Sequence, residues 1–402
     1  MSRKSPNEQD ADVVIVGGGP VGTTTALKLA NSEVKVLLLE QREFLGSERR
    51  ATTFHPPTLE MLNDLGLADT LVDEGIVCTS YQFRDAKKGL IVDLDFDVLE
   101  GETPYPFRLQ VEQSRLTRLA LQHLESHPFA TVVSSSPVSR IEKVENGVVV
   151  HVESGEMMGA INAPIVIGAD GSKSVVRESL GVGFNGLTYP ERYLVISTTL
   201  ALHEIFPDIS NVNYVTDPVD WHVMLRNPSG WRVLFPMPFD GTSDEELLAE
   251  SNVMKNLRRV VPDADNYPVS HVTLYQIHRK VADSFRDGSA FLVGDAAHVN
   301  NPLGGMGMNS GIHDGIQLAE VLIEHFKGQD VNAALDEWAS RRRNVALEYV
   351  GKETDANWSA LREPDEEARA RQQEYWISLS KDEGARREFL RISSMLSSIR
   401  SG

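Results

Sequence analysis

Cysteine is almost absent from this chain: Cys78 is the only one in 402 residues. A single thiol excludes an intrachain disulfide, a paired-cysteine redox centre and a cysteine-based metal cluster, and no metal site is expected. It also fits a reducing compartment, the cytoplasm. Long apolar runs are missing as well. None approaches the roughly 20 residues that cross a bilayer, and Met1 to Asp10 is polar where an export signal would be apolar. A basic excess is lacking too. The 39 Lys and Arg stand against 58 Asp and Glu, a net charge of −19, which argues against nucleic acid and against stable association with an anionic membrane. No repeat or low-complexity segment stands out, and the length suffices for two domains around a sizeable core.

Glycine is what the chain places deliberately. The apolar run Val13-Val14-Ile15-Val16 leads into Gly17-Gly18-Gly19-Pro20-Val21-Gly22, an Ala/Leu stretch to Ala30, and a second apolar run from Val34 to Leu39 closed by Glu40 and Gln41. The order is strand, glycine turn, helix, strand. Gly17 permits the tight turn, Gly19 lets the backbone approach a pyrophosphate, and Gly22 brings helix against strand, with the free N–H groups of the helix start facing the phosphates. Pro20 is tolerated at an early helical position, where its missing N–H would have been unpaired. Glu40, at the end of the second strand, is placed to accept hydrogen bonds from a ribose. A second cluster, Gly294-Asp295-Ala296-Ala297-His298 followed by Gly304-Gly305-Met306-Gly307-Met308-Asn309, supplies the other half of what reads as one flavin site.

Between these ends the pattern alternates. Helical spacing runs from Gln113 to Leu124. Thr131 to Val152 reads as a β meander with Asn146-Gly147 as its tight turn. The buried strand Pro164 to Ile167 runs into Gly168-Ala169-Asp170-Gly171-Ser172. From Val182 to Arg279 short alternating strands rich in Tyr, Val and Trp are broken by prolines, and Tyr81 to Leu99 alternates similarly. The expected fold is α/β: a Rossmann-like, glutathione-reductase-type FAD-binding domain built discontinuously from 11–80, 101–181 and 283–345. An antiparallel β-sheet substrate domain, 81–100 and 182–282, is inserted into it, and helices at 346–402 follow. The charged tail has two open uses, as solvated helices against the FAD domain or as a homodimer contact.

The three segments Gly17 to Gly22, Ala169-Asp170-Gly171 with Arg177, and Gly294 to His298 resemble the fingerprints of the group A flavin monooxygenases typified by p-hydroxybenzoate hydroxylase, from about Ala11 to Arg343. The resemblance implies FAD, with NADH or NADPH as co-substrate and O2 as oxidant. It also implies roles for particular residues. Arg50 resembles the arginine along the FAD pyrophosphate and Gln113 the glutamine near the ribityl chain. Asp170 stands where the second motif touches FAD, and Asp295 resembles the acid that bonds the ribityl hydroxyls. Pro302 resembles the proline beside the reacting face. Gly304, Gly305, Gly307, Met308 and Asn309 would form a turn and helix start aiming N–H groups at the flavin ring.

In that family reduced flavin takes up O2 as a C4a-hydroperoxide that attacks an electron-rich ring, so the implied substrate is a phenol or hydroxylated N-heteroaromatic, with or without loss of a ring substituent. A deprotonated hydroxyl activates such a ring, which calls for a proton acceptor. His55, Tyr214 and His222 are the candidates, and Arg226 is a candidate partner for a substrate carboxylate. Structural readings stand beside these: Asp170 as a turn residue, Asp295 as a helix cap, and His298, His313 and Asp314 as packing.

Other functions remain open. The lone cysteine excludes disulfide reductases that share the glycine turn. A flavin halogenase would carry Trp-x-Trp-x-Ile, and Trp221 and Trp231 are not so spaced. An isoprenoid or quinone-pathway flavoprotein and a lipid-binding chaperone of the same fold are the alternatives. Met306 stands where the best-known member of that family has a lysine in the turn, and Lys173 where it has a histidine linked to NADPH.

Overall fold

A computed structural model describes residues 11–43, 51–155, 158–262 and 266–400. Short runs of Val, Ile and Leu buried on both faces form its central sheet. The strand order is Arg286–Asp287, Ala290–Leu292, Ile165–Gly168, Val13–Val16, Val36–Leu39 and Ala130–Val133. All pairs are parallel except the edge hairpin of the first two. Such two-sided burial is what a parallel sheet with covered faces requires. The helix Pro20–Ala30 packs against the long helix Met306–Phe326 on one side, which brings the two glycine-rich ends of the chain together.

The expected meander is smaller than the sequence suggested. Thr131 lies in Ala130–Val133, which pairs in parallel with Val36–Leu39, so it belongs to the central sheet. The meander proper is Val138–Val144, Gly147–Val152 and Gly159–Ala163. A four-residue apolar strand carries no mark of the direction of its partner, and only the tertiary pairing distinguishes the two uses.

The inserted domain is an eight-stranded sheet ordered His298–Val299, Val269–Ala282, Phe184–Thr198, Gly230–Pro238, His222–Asn227, Val212–Thr216, Ser80–Asp85 and Gly89–Asp95. One pair, Val212–Thr216 with Ser80–Asp85, is parallel, so the sheet is mixed rather than antiparallel throughout. Its side chains alternate between two cores. Leu194, Ile196, Val215, Met224, Val233 and Phe235 belong to a core that also holds Leu247, Val253 and Leu257 of the flanking helices. Tyr193, Tyr214, Trp221 and Val223 point the other way, into a core containing Leu303 of the second glycine cluster.

The C-terminal helices Gly351–Leu361, Glu366–Leu379 and Glu383–Ser393 dock mainly on this sheet rather than on the central one. Trp376 stacks on Phe83 at 3.9 Å and 5°, and Leu361, Leu379 and Leu390 join the same core as Tyr81. Their charged outer faces are exposed, and the apolar stripe beneath packs on the aromatic strands Ser80–Asp85 and Gly89–Asp95 rather than on the FAD domain. Met395, together with Val350, packs against Met306 at the start of the long helix. No helix among the described residues is long and apolar enough to cross a membrane.

Candidate functional site

The first turn is built by backbone pressed on backbone. Gly17 has φ +109, and a Cβ there would lie 2.3 Å from the Ala169 carbonyl oxygen; one on Gly22 would lie 1.9 Å from that of Gly17. These glycines seat the first motif against the second. Gly19 differs: a Cβ on it would meet nothing within 4 Å. It is the N-cap of Pro20–Ala30 and offers no side-chain cap, so the helix start presents its N–H groups to open space, the arrangement that receives a phosphate. Glu40 accepts the Gly18 N–H at 2.7 Å through one oxygen and the Arg42 N–H at 3.0 Å through the other. It therefore holds the turn as well as closing the crevice.

That crevice has a volume of about 690 Å³. Gly17, Gly19, Pro20, Val21, Glu40 and Gln41 line one end, with Gln113, Asp170, Asp295 and Met308 further along, joined by Ser114, Thr117, Arg118 and Lys173. Residues from three separated motifs thus face a single elongated space. Arg177 ties two of them together, donating to the Ala296 carbonyl at 2.9 Å and the Ser172 carbonyl at 2.8 Å. The residues suit FAD: a donor-rich helix start for the pyrophosphate, an acid by the first turn, and polar side chains along the remainder.

Asp170 has two faces. One oxygen accepts the Val176 N–H at 3.1 Å across the turn, while Oδ1 is buried without a protein partner. Burial, the largest influence, raises its carboxyl above the ordinary value despite hydrogen bonds from Ser174 and Val176. Arg50 lies outside the described residues.

Gly22, Gly304, Gly305, Gly307 and Asn309 do not line the crevice. Gly305 caps the long helix in a left-handed conformation, its N–H donating to the Pro302 carbonyl at 3.0 Å. Pro302 is half-buried in this turn. Asn309 is fully buried; its amide donates to the carbonyls of Thr53 and Gly305 at 2.9 and 2.7 Å and its oxygen accepts the His55 N–H at 3.0 Å. Its direct role is to fix the turn to the strand Thr53–Phe54.

His55 meets the same turn, its Nε2 lying 2.9 Å from the Gly304 carbonyl. Burial first, and then the nearby Arg108 charge, hold the imidazole well below its usual pKa, so it is neutral near pH 7. A carbonyl can only accept, which puts the proton on Nε2 and leaves Nδ1 an acceptor; Nδ1 is buried with no protein partner. Tyr214 lies on the sheet face that looks toward this turn.

His222 lies on the opposite face. In register, Tyr214 faces Val223 and Val215 faces His222, so the alternation of a strand sends His222 to the helix-covered side, with its ring 5.7 Å from Phe235. Burial lowers its pKa to about 4. As candidate acceptors for one substrate proton, Tyr214 and His222 are thus separated by this one-residue offset, and His222 does not reach the turn. Arg226 is on the His222 side of its strand, paired in register with Trp231 of the outer core, away from the turn.

His298, His313 and Asp314 are packing residues, as their structural readings held. Asp314, wholly buried, accepts from Arg342 Nε at 2.6 Å and the Gly294 N–H at 3.2 Å and lies 2.8 Å from His298 Nε2. Burial works to raise its carboxyl, but Arg342 and then His298 hold it below the usual value. His313 bonds Thr58 at 2.8 Å.

Sequence reasoning missed Arg108. It is 2% exposed on the strand Arg108–Gln110, on the same side as Gln110, whose amide donates to Thr53 Oγ1 at 2.9 Å. The available signal was a charged residue flanked by the apolar Phe107 and Leu109.

The FAD binding domain family matches residues 10–352. The chain is 32% identical over 387 residues to para-nitrophenol 4-monooxygenase of Pseudomonas sp. strain WBC-3, covering 94% of each chain. It is 33% identical over 356 residues to 6-hydroxy-3-succinoylpyridine 3-monooxygenase of Pseudomonas putida, covering 86% of this chain and 87% of that one. The crystal structure of p-nitrophenol 4-monooxygenase from Pseudomonas putida DLL-E4 superposes with a TM-score of 0.89 at 33% identity, covering 95% of this chain and 96% of the other.

Proposed function

Because this chain belongs to the FAD-dependent aromatic monooxygenases, which consume NAD(P)H and O2, we propose that it hydroxylates a small phenol or hydroxylated N-heteroaromatic. Hydroxylation is coupled to loss of a substituent where a leaving group stands para to the hydroxyl. The observation that carries this reading is similarity across the inserted sheet as well as the FAD domain, to relatives named for a nitrophenol and a hydroxypyridine. The bound flavin supplies hydride acceptance and oxygen activation.

The chain's own residues bind, orient and shelter. The helix start at Gly19 and Pro20 takes the pyrophosphate, Glu40 the ribose, and Gln113 and Asp295 the ribityl chain. The helix start from Gly304 to Asn309, of which Met308 lines the crevice, would offer its unpaired N–H groups to the flavin ring, and Pro302 would lie beside it. On the substrate side, His55 and Tyr214 are the groups that accept or pass on the phenolic proton, His55 through the free Nδ1. His222, on the far face of the sheet, has no part in it.

The test is a panel of phenols, hydroxypyridines and aromatic acids scored for stimulated NAD(P)H oxidation, with product mass and nitrite release followed separately. Gain of one oxygen is expected with at least one phenol or hydroxypyridine; oxidation with no product gain for any of them would defeat the proposal. Asp295→Ala is expected to purify with most of its flavin lost, and unchanged flavin content would remove Asp295 from the ribityl contact.

A further inference from the structure

Arg108 is a buried cation that pairs with no acid among the described residues. None of the ion pairs among the described residues includes it, although its side chain is almost completely enclosed. Its guanidinium lies 4.3 Å from the centre of the Tyr81 ring and 5.6 Å from that of Phe96. It donates to the Ser393 carbonyl at 3.0 Å, stands 3.5 Å from the Tyr214 hydroxyl, and leaves Nε without a protein partner. A buried charge of this kind is costly unless something anionic meets it. Of the titratable groups around it, burial holds His55 neutral near pH 7 and pushes the Cys78 thiol and the Tyr81 phenol both up to about 12, while the Glu353 carboxyl, which acts on Tyr81 through its charge, is itself raised by burial and forms no ion pair with Arg108.

The position matters as much as the charge. The side of the strand that carries Arg108 carries Gln110 two residues on, and Gln110 holds Thr53, which abuts Gly305 of the flavin-side turn. The same turn holds His55 through the Gly304 carbonyl. Across from it stands Tyr214 on the inner face of the sheet. Two buried nitrogens without protein partners, Arg108 Nε and His55 Nδ1, therefore occupy the junction of the flavin-side turn and the substrate sheet.

We propose that Arg108 is the substrate-anchoring residue of this enzyme and that it binds the phenolate oxygen of a small phenol, with His55 Nδ1 as the acceptor of the departing proton. The inference rests on the phenol reading above and deepens it. The proton passes from the phenol oxygen to neutral His55; the resulting oxyanion stays beside the guanidinium, and no other bond forms or breaks. A planar guanidinium suits this task because it stays charged at any working pH and offers several donors in one plane.

The probe is p-nitrophenol, whose ionised form absorbs in the visible, titrated into FAD-loaded protein below the pH at which the free phenol ionises. 4-Nitroanisole, which has no hydroxyl, is the control. Wild type is expected to bind the phenol with the phenolate spectrum. Arg108→Met should weaken phenol binding by roughly tenfold to a hundredfold, the range of a lost charge-assisted hydrogen bond, and shift the bound spectrum toward the neutral form. It should leave nitroanisole binding within about twofold and flavin content unchanged, and Arg108→Lys should restore part of the phenolate signal. An unaltered bound spectrum in Arg108→Met would overturn the proposal, as would equal weakening of both ligands, which would mark Arg108 as packing or as a partner of the nitro group. If wild type binds neither ligand while the panel finds another phenol, the same pair of measurements is made with that phenol and its methyl ether. If the panel finds none, the phenol reading itself falls.

Discussion

Arg342 is 1% exposed and Arg108 2%, but among the described residues only the first is met by opposite charge. Around Arg342, the Asp314 carboxylate, the Ser310 carbonyl and hydroxyl, and His298 beyond them form a closed set in which the charges balance. Asp314 also receives the Gly294 N–H, so this cluster secures the third motif to the long helix. Around Arg108 there are aromatic faces, one carbonyl and a distant hydroxyl. Equal depth with unequal compensation separates a charge that belongs to the fold from one that is kept for a ligand.

The largest effect expected from that contrast is on stability. Arg342→Met strands a buried carboxylate and should cost about 3–5 kcal/mol in urea unfolding, whereas Arg108→Met removes a buried charge with no carboxylate to strand and should cost no more than about 1 kcal/mol. Equal losses would break the comparison. A smaller, pH-dependent effect concerns His222. Its imidazole protonates near 4 in the folded chain against 6.5 unfolded, so between those values the unfolded state carries the extra proton. Its contribution is complete above about pH 6.5 and is lost as pH falls toward 4, by at most ~1.4 kcal/mol per pH unit. His222→Phe should flatten the stability profile by that slope in that window while leaving turnover of substrate intact; an unchanged profile would show that His222 titrates normally. The smallest effect is at the surface. Lys143 pairs with Asp287 at 2.7 Å with both side chains partly in water, and Lys143→Ala should change stability by less than about 1 kcal/mol.

Much of the cofactor crevice was legible because close backbone approach leaves a mark in sequence. Only glycine fits where Gly17 meets Ala169 and Gly22 meets Gly17, so the first two motifs announce their own contact. The acid at Glu40 follows from the strand that ends there. The substrate side leaves weaker marks. Whether Tyr214 and His222 share a face depends on a register of one residue between two strands, which neither strand encodes alone. Thr131 looked like part of the meander because apolar strands of four residues do not declare their partners. Arg108 was overlooked because its meaning comes from what surrounds it: Tyr81, Tyr214 and Ser393 lie far away along the chain and meet it only in the folded state.

The bond from Arg108 to the Ser393 carbonyl joins residues 285 positions apart, and Tyr81 reaches the Ser393 hydroxyl from the other side. If Arg108 anchors the phenol as proposed, the tail forms part of the substrate's surroundings. Fusions, tags or substitutions near Ser393 will be felt by the substrate before they are felt by the flavin, and selectivity among ring compounds can drift there while the dinucleotide end keeps its grip.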